Sequence, residues 1–172
     1  MQGKNGLEFT FAWKFFAEKD IKLSGDFCHI HQIKLDGSGV GNPCLTVTLR
    51  KDHVELDNMG KILSNCTLSD FVGNWIQFRS KITYGKNGCL TFSASRIKDG
   101  KVLMSHTGCG VVLDDESQMI RPKFGFYRSL QDKELLRDES IRIVDLCIGQ
   151  NDSCHFNEFG ERYTPMLRSI EE

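Results

Sequence analysis

Apolar residues recur at every second position along most of this chain. Leu7, Phe9, Phe11, Trp13 and Phe15 fall on one side of an extended segment, with Glu8, Thr10 and Lys14 on the other. That is the period-two signature of a strand with one buried face. Leu45-Thr46-Val47-Thr48-Leu49 and Val54-Glu55-Leu56 repeat it. Trp75-Ile76-Gln77-Phe78 and Ile82-Thr83-Tyr84 lead into the turn Gly85-Lys86-Asn87-Gly88. Asn-Gly is a strong hairpin dipeptide because both residues tolerate positive φ. Cys89 to Ala94 returns, Lys98-Asp99-Gly100-Lys101 turns again, Val102 to Ser105 follows, and Ile141 to Ile148 closes the series. About nine or ten short strands at a spacing of about ten residues, with Gly-rich turns and no long helical period, predict an all-β sandwich. The one helical stretch expected is Ser129 to Asp138, a turn or two. After Gln150 the alternation fades. Residues 1–150 therefore read as one β domain and 151–172 as a C-terminal tail, with a short helix near Pro165 to Ile170. No internal repeat or low-complexity stretch interrupts the pattern.

Two strand-like segments depart from it by carrying large polar groups. In Phe27 to Lys34 (FCHIHQIK), simple alternation puts Ile30, Gln32 and Lys34 on one face and His29, His31 and Ile33 on the other. In Ile120 to Leu130 (IRPKFGFYRSL), Arg121, Lys123, Gly125 and Tyr127 share a face. An amide and an amine, or a guanidinium, an amine and a phenol, make a poor core. They make a good floor for a groove that holds an acidic, hydroxyl-rich ligand.

Plainer readings stand beside this one. Gln32 and Lys34 alone would be solvated strand residues, Arg121 and Lys123 around Pro122 could blunt an edge strand, and Tyr127 could be a half-buried aromatic. His29 and His31 at i, i+2 could form the two-histidine edge of a zinc site, although no third ligand at strand spacing accompanies them. The run Asp114-Asp115-Glu116 reads as a solvated loop.

The totals narrow the setting. A chain of 172 residues suits one domain and can bury roughly two-thirds of its unfolded surface. A net charge of -1 gives no global field for nucleic acid or anionic membrane, so an anion site must be a local cluster. No apolar run is long enough to cross a bilayer, and the opening MQGKNG has no apolar signal region. Seven cysteines without a CxxC pair form no metal-ligand spacing. Their odd count argues against a complete disulfide framework while leaving room for one or two bridges. Cys28, Cys89 and Cys147 read as small buried apolar residues. Asn65-Cys66-Thr67 and Asn151-Asp152-Ser153 are glycosylation sequons of a kind that often arises by chance. Redox compartment stays open at this level.

With the strands placed, the chain resembles the fungal glucuronan lyases, polysaccharide lyases of jelly-roll fold. The similar stretches, in order, are FTFAWKF, FCHIHQIK, LTVTLR, DFVGNWIQFRSKITYGKNG, DGKVLMS, IRPKFGFYRSL and LRDESIRIVDLCI, spanning about Leu7 to Gln150. The wider jelly-roll lyases, including those acting on alginate, set a Gln-x-basic strand against a Lys-x-Gly-x-Tyr strand. Gln32-Ile33-Lys34 and Lys123-Phe124-Gly125-Phe126-Tyr127 match, with Lys34 where many relatives carry histidine.

The resemblance implies a concanavalin-like β-jelly-roll sandwich of two antiparallel sheets that cuts a polyuronate by β-elimination. Such a lyase removes the C5 proton beside the sugar carboxylate and expels the 4-linked oxygen. That proton is too weakly acidic unless donors and positive charge stabilise the enolate-like intermediate. Gln32 supplies an amide donor, Lys34 and Lys123 supply charge, and Tyr127 is the phenol that serves as base, acid or both if neighbouring cations lower its pKa. Gln32, Tyr127, Lys34 and Lys123 are thus the implied catalytic set, with Arg121, Arg128 and His31 as substrate-binding residues. No cofactor is required. Asp145 is the candidate for a structural calcium of the kind common in such sandwiches, or else a hydrogen-bonded carboxylate. The implied partner is an acidic polysaccharide, with no nucleic acid and no membrane, and the implied state is an extracellular monomer. In related lyases a strand ahead of Phe9–Phe15 adds a basic or imidazole group to the cleft, whereas this chain begins almost at that strand. The contribution is then expected to be missing or to come from elsewhere, His53 and His106 being the substitutes. The alternative is a non-catalytic carbohydrate-binding module on the same fold, lacking part of the active site.

Overall fold

A computed structural model describes residues 6–36, 42–85, 87–111, 119–150 and 154. Among these residues ten strands form two five-stranded sheets. The first sheet contains β1 (Glu8–Ala17), β6 (Ile76–Thr83), β7 (Gly88–Arg96), β8 (Val102–Val111) and β10 (Ile141–Gln150), in the order β10-β1-β6-β7-β8. The second contains β2 (Cys28–Asp36), β3 (Leu45–Leu49), β4 (His53–Asn58), β5 (Lys61–Thr67) and β9 (Met119–Arg128), in the order β5-β4-β3-β2-β9. Every neighbouring pair is antiparallel. This is the expected jelly-roll sandwich.

The core lies between the sheets. From the first sheet Phe9, Phe11, Trp13 and Phe15 point inward, as their alternation predicts, and all are buried. Trp13 is 2% exposed and stacks on Phe78, its partner on β6, at 4.1 Å between ring centroids. From the second sheet Cys28, Ile30, Ile33, Val47, Leu49, Val54 and Leu56 meet them. Phe124 of β9 closes on Trp13 at 5.4 Å, edge to face, a favoured aromatic geometry. This aromatic layer ties the strand carrying the lysine-tyrosine motif to the most deeply buried strand of the opposite sheet.

At four places the structure refines, corrects or adds to the sequence reading. Between Ser129 and Asp138 there is a single 3-10 turn, Lys133–Leu135, because Asp132 adopts a left-handed φ of 57° that stops a helix from forming around it. A one-turn helix forms instead at Leu68–Phe71. β5 carried no apolar alternation because it is an edge strand with mostly exposed or half-buried residues. It follows a tight turn at Met59 and Gly60, both of positive φ, the hairpin geometry that Asn-Gly usually marks. Finally, Cys89 and Cys147 are not free apolar residues. Cys89 is bonded to Cys109, its direct partner on β8, and Cys147 to Cys154, which leaves Cys28, Cys44 and Cys66 free. The expected tail, apart from Cys154, the run Asp114-Asp115-Glu116 and the second sequon lie outside the described residues.

Replacing Trp13 with alanine removes a stacked, buried ring from the centre of this layer and is expected to cost about 3–5 kcal/mol. Urea unfolding of the variant measures it, and an unchanged midpoint would show that the inward face of β1 is not where the core is held.

Candidate functional site

The two polar strands are neighbours: β2 and β9 pair antiparallel, with Gln32 opposite Lys123, Lys34 opposite Arg121 and His29 opposite Tyr127. Along β9 the alternation is regular. Phe124 and Phe126 pack against the core, and Arg121, Lys123, Gly125 and Tyr127 take the other face. β2 is different. Its register shifts between His29 and His31 against both of its neighbours: against β3 the extra residue is Ile30, whereas against β9 it lies on β9, where Gly125 and Phe126 stand opposite Ile30. Ile30 and His31 both turn inward, and both are buried.

That insertion corrects the simple alternation. Ile30 does not share a face with Gln32 and Lys34; His29 does. His31 joins the core, 4% exposed, its ring stacked on Phe124 at 4.4 Å and near Phe11 and Trp13. The two histidines therefore face opposite ways and form no zinc edge, and among the described residues no group of three metal-ligating side chains gathers anywhere.

His29, Gln32, Lys34, Lys123, Gly125 and Tyr127 line one open cavity of about 400 Å³ on the outer face of the second sheet. Four of the residues singled out from the sequence, Gln32, Lys34, Lys123 and Tyr127, are thus brought together. Gln32 is 8% exposed on the floor, while Tyr127 stands up with 60% of its surface free. Gly125 has φ +146°, and a Cβ there would meet nothing within 4 Å. The glycine of the Lys-x-Gly-x-Tyr spacing is therefore required by backbone conformation, and it leaves open space above the floor. Phe27 stacks on His29 at 4.5 Å and lies 5.4 Å from Tyr127. His29 Nδ1 is 2.8 Å from Thr48 Oγ1, and the Thr48 hydroxyl donates to Thr46 Oγ1 at 3.0 Å.

The remaining residues lie elsewhere or are otherwise engaged. Arg121 is on the groove strand, exposed beside Lys34. Arg128 is a strut rather than a groove residue: its guanidinium donates to the carbonyls of Lys22 at 3.3 Å and Arg137 at 2.6 Å and lies over the Phe126 ring. Asp145 sits in a bulge of β10 with φ 53° and is ion-paired to Lys14 at 2.7 Å. Neither expected substitute histidine lines the cavity. His53 is bound to Asp52 at 2.6 Å and Glu55 at 3.2 Å, and the Asp52 hydrogen bond above all raises its pKa. His106 belongs to β8, in the other sheet, with its Nε2 buried. The imidazole that does line the cavity, His29, went unselected because nothing in the residue types around Ile30 marks a bulge.

No family model matches the sequence, and no curated protein matches it. Solved structures do. An endo-β-1,4-glucuronan lyase from the fungus Trichoderma reesei superposes with TM-score 0.61 at 15% identity, covering 85% of this chain and 69% of that one. An alginate lyase from Pseudomonas aeruginosa gives TM-score 0.51 at 19% identity, covering 87% and 68%. The alginate lyase AlgAT5, of polysaccharide lyase family 7, gives 0.52 at 13% identity, covering 85% and 60%. The chain thus spans 60% to 69% of the length of these three structures. At such identities the likeness is one of fold.

Burial pushes the His31 pKa from its ordinary 6.5 down to about 4, although Nδ1 donates to the Lys123 carbonyl at 3.0 Å. A histidine held neutral in the fold but able to charge when unfolded makes the unfolded chain bind more protons between those two values. Stability is therefore full above pH 6.5 and falls as pH drops towards 4, by about 3 kcal/mol in all. His31→Phe is expected to flatten this acid limb, as read from denaturant midpoints at pH 7 and at an acid pH within that window. An equally steep acid limb in the variant would contradict the assignment of His31 to the core.

Proposed function

We propose that the outer face of the second sheet cleaves a polyuronate of the β-1,4-glucuronan kind by β-elimination. The observation that carries this reading is the composition of the cavity. An amide, two ammonium groups, an imidazole and a phenol converge there, and no carboxylate is among the lining residues described. Glycoside hydrolysis commonly relies on a pair of carboxyl groups flanking the scissile bond, which this floor lacks. The acidic side chains next along the same face are engaged: Glu55 by Arg50 at 2.6 Å and by His53, and Asp57 by the Gly60 N–H at 2.9 Å. Cationic and amide donors without a competing carboxylate suit a ligand that is itself a carboxylate.

In the reaction proposed, Gln32, Lys34 and Lys123 hold the uronate carboxyl group, and their donors strengthen as C5 loses its proton and charge moves onto the carboxylate oxygens. Tyr127, across the floor from His29, handles a proton at the scissile linkage. The fold shared with glucuronan and alginate lyases supports the same chemistry. The two disulfides fit an oxidising, extracellular setting. Among the described residues no helix is long and apolar enough to cross a membrane.

Tyr127→Phe is expected to lower the rate of unsaturated-product formation by about 10²–10⁴-fold with uronan binding nearly intact, because the phenol acts on a proton in the transition state. Lys123→Ala is expected to weaken binding and turnover together, since its charge meets the carboxylate in both states. Ultraviolet absorbance of the unsaturated product and calorimetric binding separate the two effects. If the chain binds uronan without cleaving it and Tyr127→Phe changes nothing, the face is a carbohydrate-binding surface instead.

A further inference from the structure

Elimination at C5 needs an acceptor for the departing proton, and the cavity offers few. Gln32 is a non-basic amide, and the two lysines present donors without an acceptor. His31 faces the core. His29 is the remaining nitrogen base, and its surroundings define its state. The Thr48 hydroxyl gives its hydrogen to Thr46 Oγ1, so at His29 the Thr48 oxygen can only accept. In that arrangement Nδ1 carries the ring proton and Nε2 the lone pair, a tautomer set by the hydrogen bond of the other nitrogen. Among the described residues no hydrogen-bond partner takes that lone pair. The imidazole plane is held by stacking on Phe27, 14° from parallel. The Tyr127 ring lies directly across the strand pair at 6.3 Å between centroids.

The charged groups around His29 act in both directions. Burial, then Arg50 beyond β3, lower its pKa; Asp26 ahead of β2 and Glu55 and Asp57 of β4 oppose them, and the net direction is down. Tyr127 faces it from β9. The ring is thus held as the free base at neutral pH.

We propose that His29 is the base of this elimination and Tyr127 its acid, with Thr48 the positioning residue that holds the imidazole in the required tautomer. The inference rests on the elimination reading above. Nε2 takes the C5 proton, and the electrons of the C5–H bond become the C4–C5 double bond. The C4–O4 bond breaks with its pair on O4, which takes the proton of the Tyr127 hydroxyl. Imidazolium and phenolate remain, and transfer of one proton from the first to the second, through solvent, restores both.

Wild type, Tyr127→Phe, His29→Gln, Thr48→Val and Thr48→Ser are to be assayed on β-1,4-linked polyglucuronate. His29→Gln is expected to lower kcat by about 10²–10⁴-fold with KM little changed. Thr48→Val is expected to lower kcat and to move the acidic limb of the kcat/KM profile to lower pH, because the lost acceptor stabilised the imidazolium more than the imidazole. Thr48→Ser, which keeps the hydroxyl, is expected to restore both. Long-range proton–nitrogen spectra of the wild type should assign His29 to the Nδ1–H tautomer, independently of activity and of how any variant folds. An Nε2–H tautomer, or a His29→Gln enzyme with wild-type kcat and pH profile beside an inactive Tyr127→Phe, would overturn the role of His29 and leave the elimination reading standing. A wild-type chain that yields no unsaturated product would remove the elimination reading and this inference together.

Discussion

One break in the alternation of β2 governs what the outer face can do. The bulge at Ile30 lets two consecutive side chains, Ile30 and His31, point into the core, so the residues on either side, His29 and Gln32, emerge on the same face. Without it, strict alternation would place these two on opposite faces. β9 meets the bulge with Gly125, whose positive φ a side chain would strain. Opposite Ile30, β9 carries one residue more than β2, Gly125 and Phe126, so the break in one strand and the glycine in its neighbour belong to one local arrangement. Together they bring an imidazole, an amide and a phenol to one floor.

The core makes that arrangement rigid. Trp13, a buried aromatic of β1, packs against both Phe124 of β9 and His31 of β2, while His31 donates to the Lys123 carbonyl. A buried hydrogen bond and an aromatic layer therefore sit directly beneath the lysine and tyrosine of the groove. The energetic consequence is a histidine that resists protonation, and the functional consequence is that strands β2 and β9 cannot slide without disturbing the sandwich. The proposed site is carried by strands, whose positions are better defined than those of loops.

Much of this was legible in the residues. The β1 face was readable because a central strand facing a thick core must alternate, and its aromatics do. The β9 face was readable for the opposite reason: Arg121, Lys123 and Tyr127 are too polar for a core, so their common side had to be outward. β2 was only half readable. Ile30 and His31 are each acceptable on either face, so nothing in their types announces a bulge, and His29 stayed hidden behind it. Disulfide pairing was likewise out of reach, since Cys89 and Cys109 meet only through the β7–β8 register. Arg128 reads as a groove cation by sequence proximity alone; its anchoring to two backbone carbonyls is a fact of tertiary structure.

The central claim is that the floor formed by β2 and β9 breaks a uronan chain by elimination. Mass spectrometry of polyglucuronate after incubation with the intact protein tests it most directly. Elimination predicts oligosaccharides whose new non-reducing ends are lighter by one water than hydrolysis would leave them. Products carrying the full water, or a polymer that is bound yet left uncut, would contradict the account.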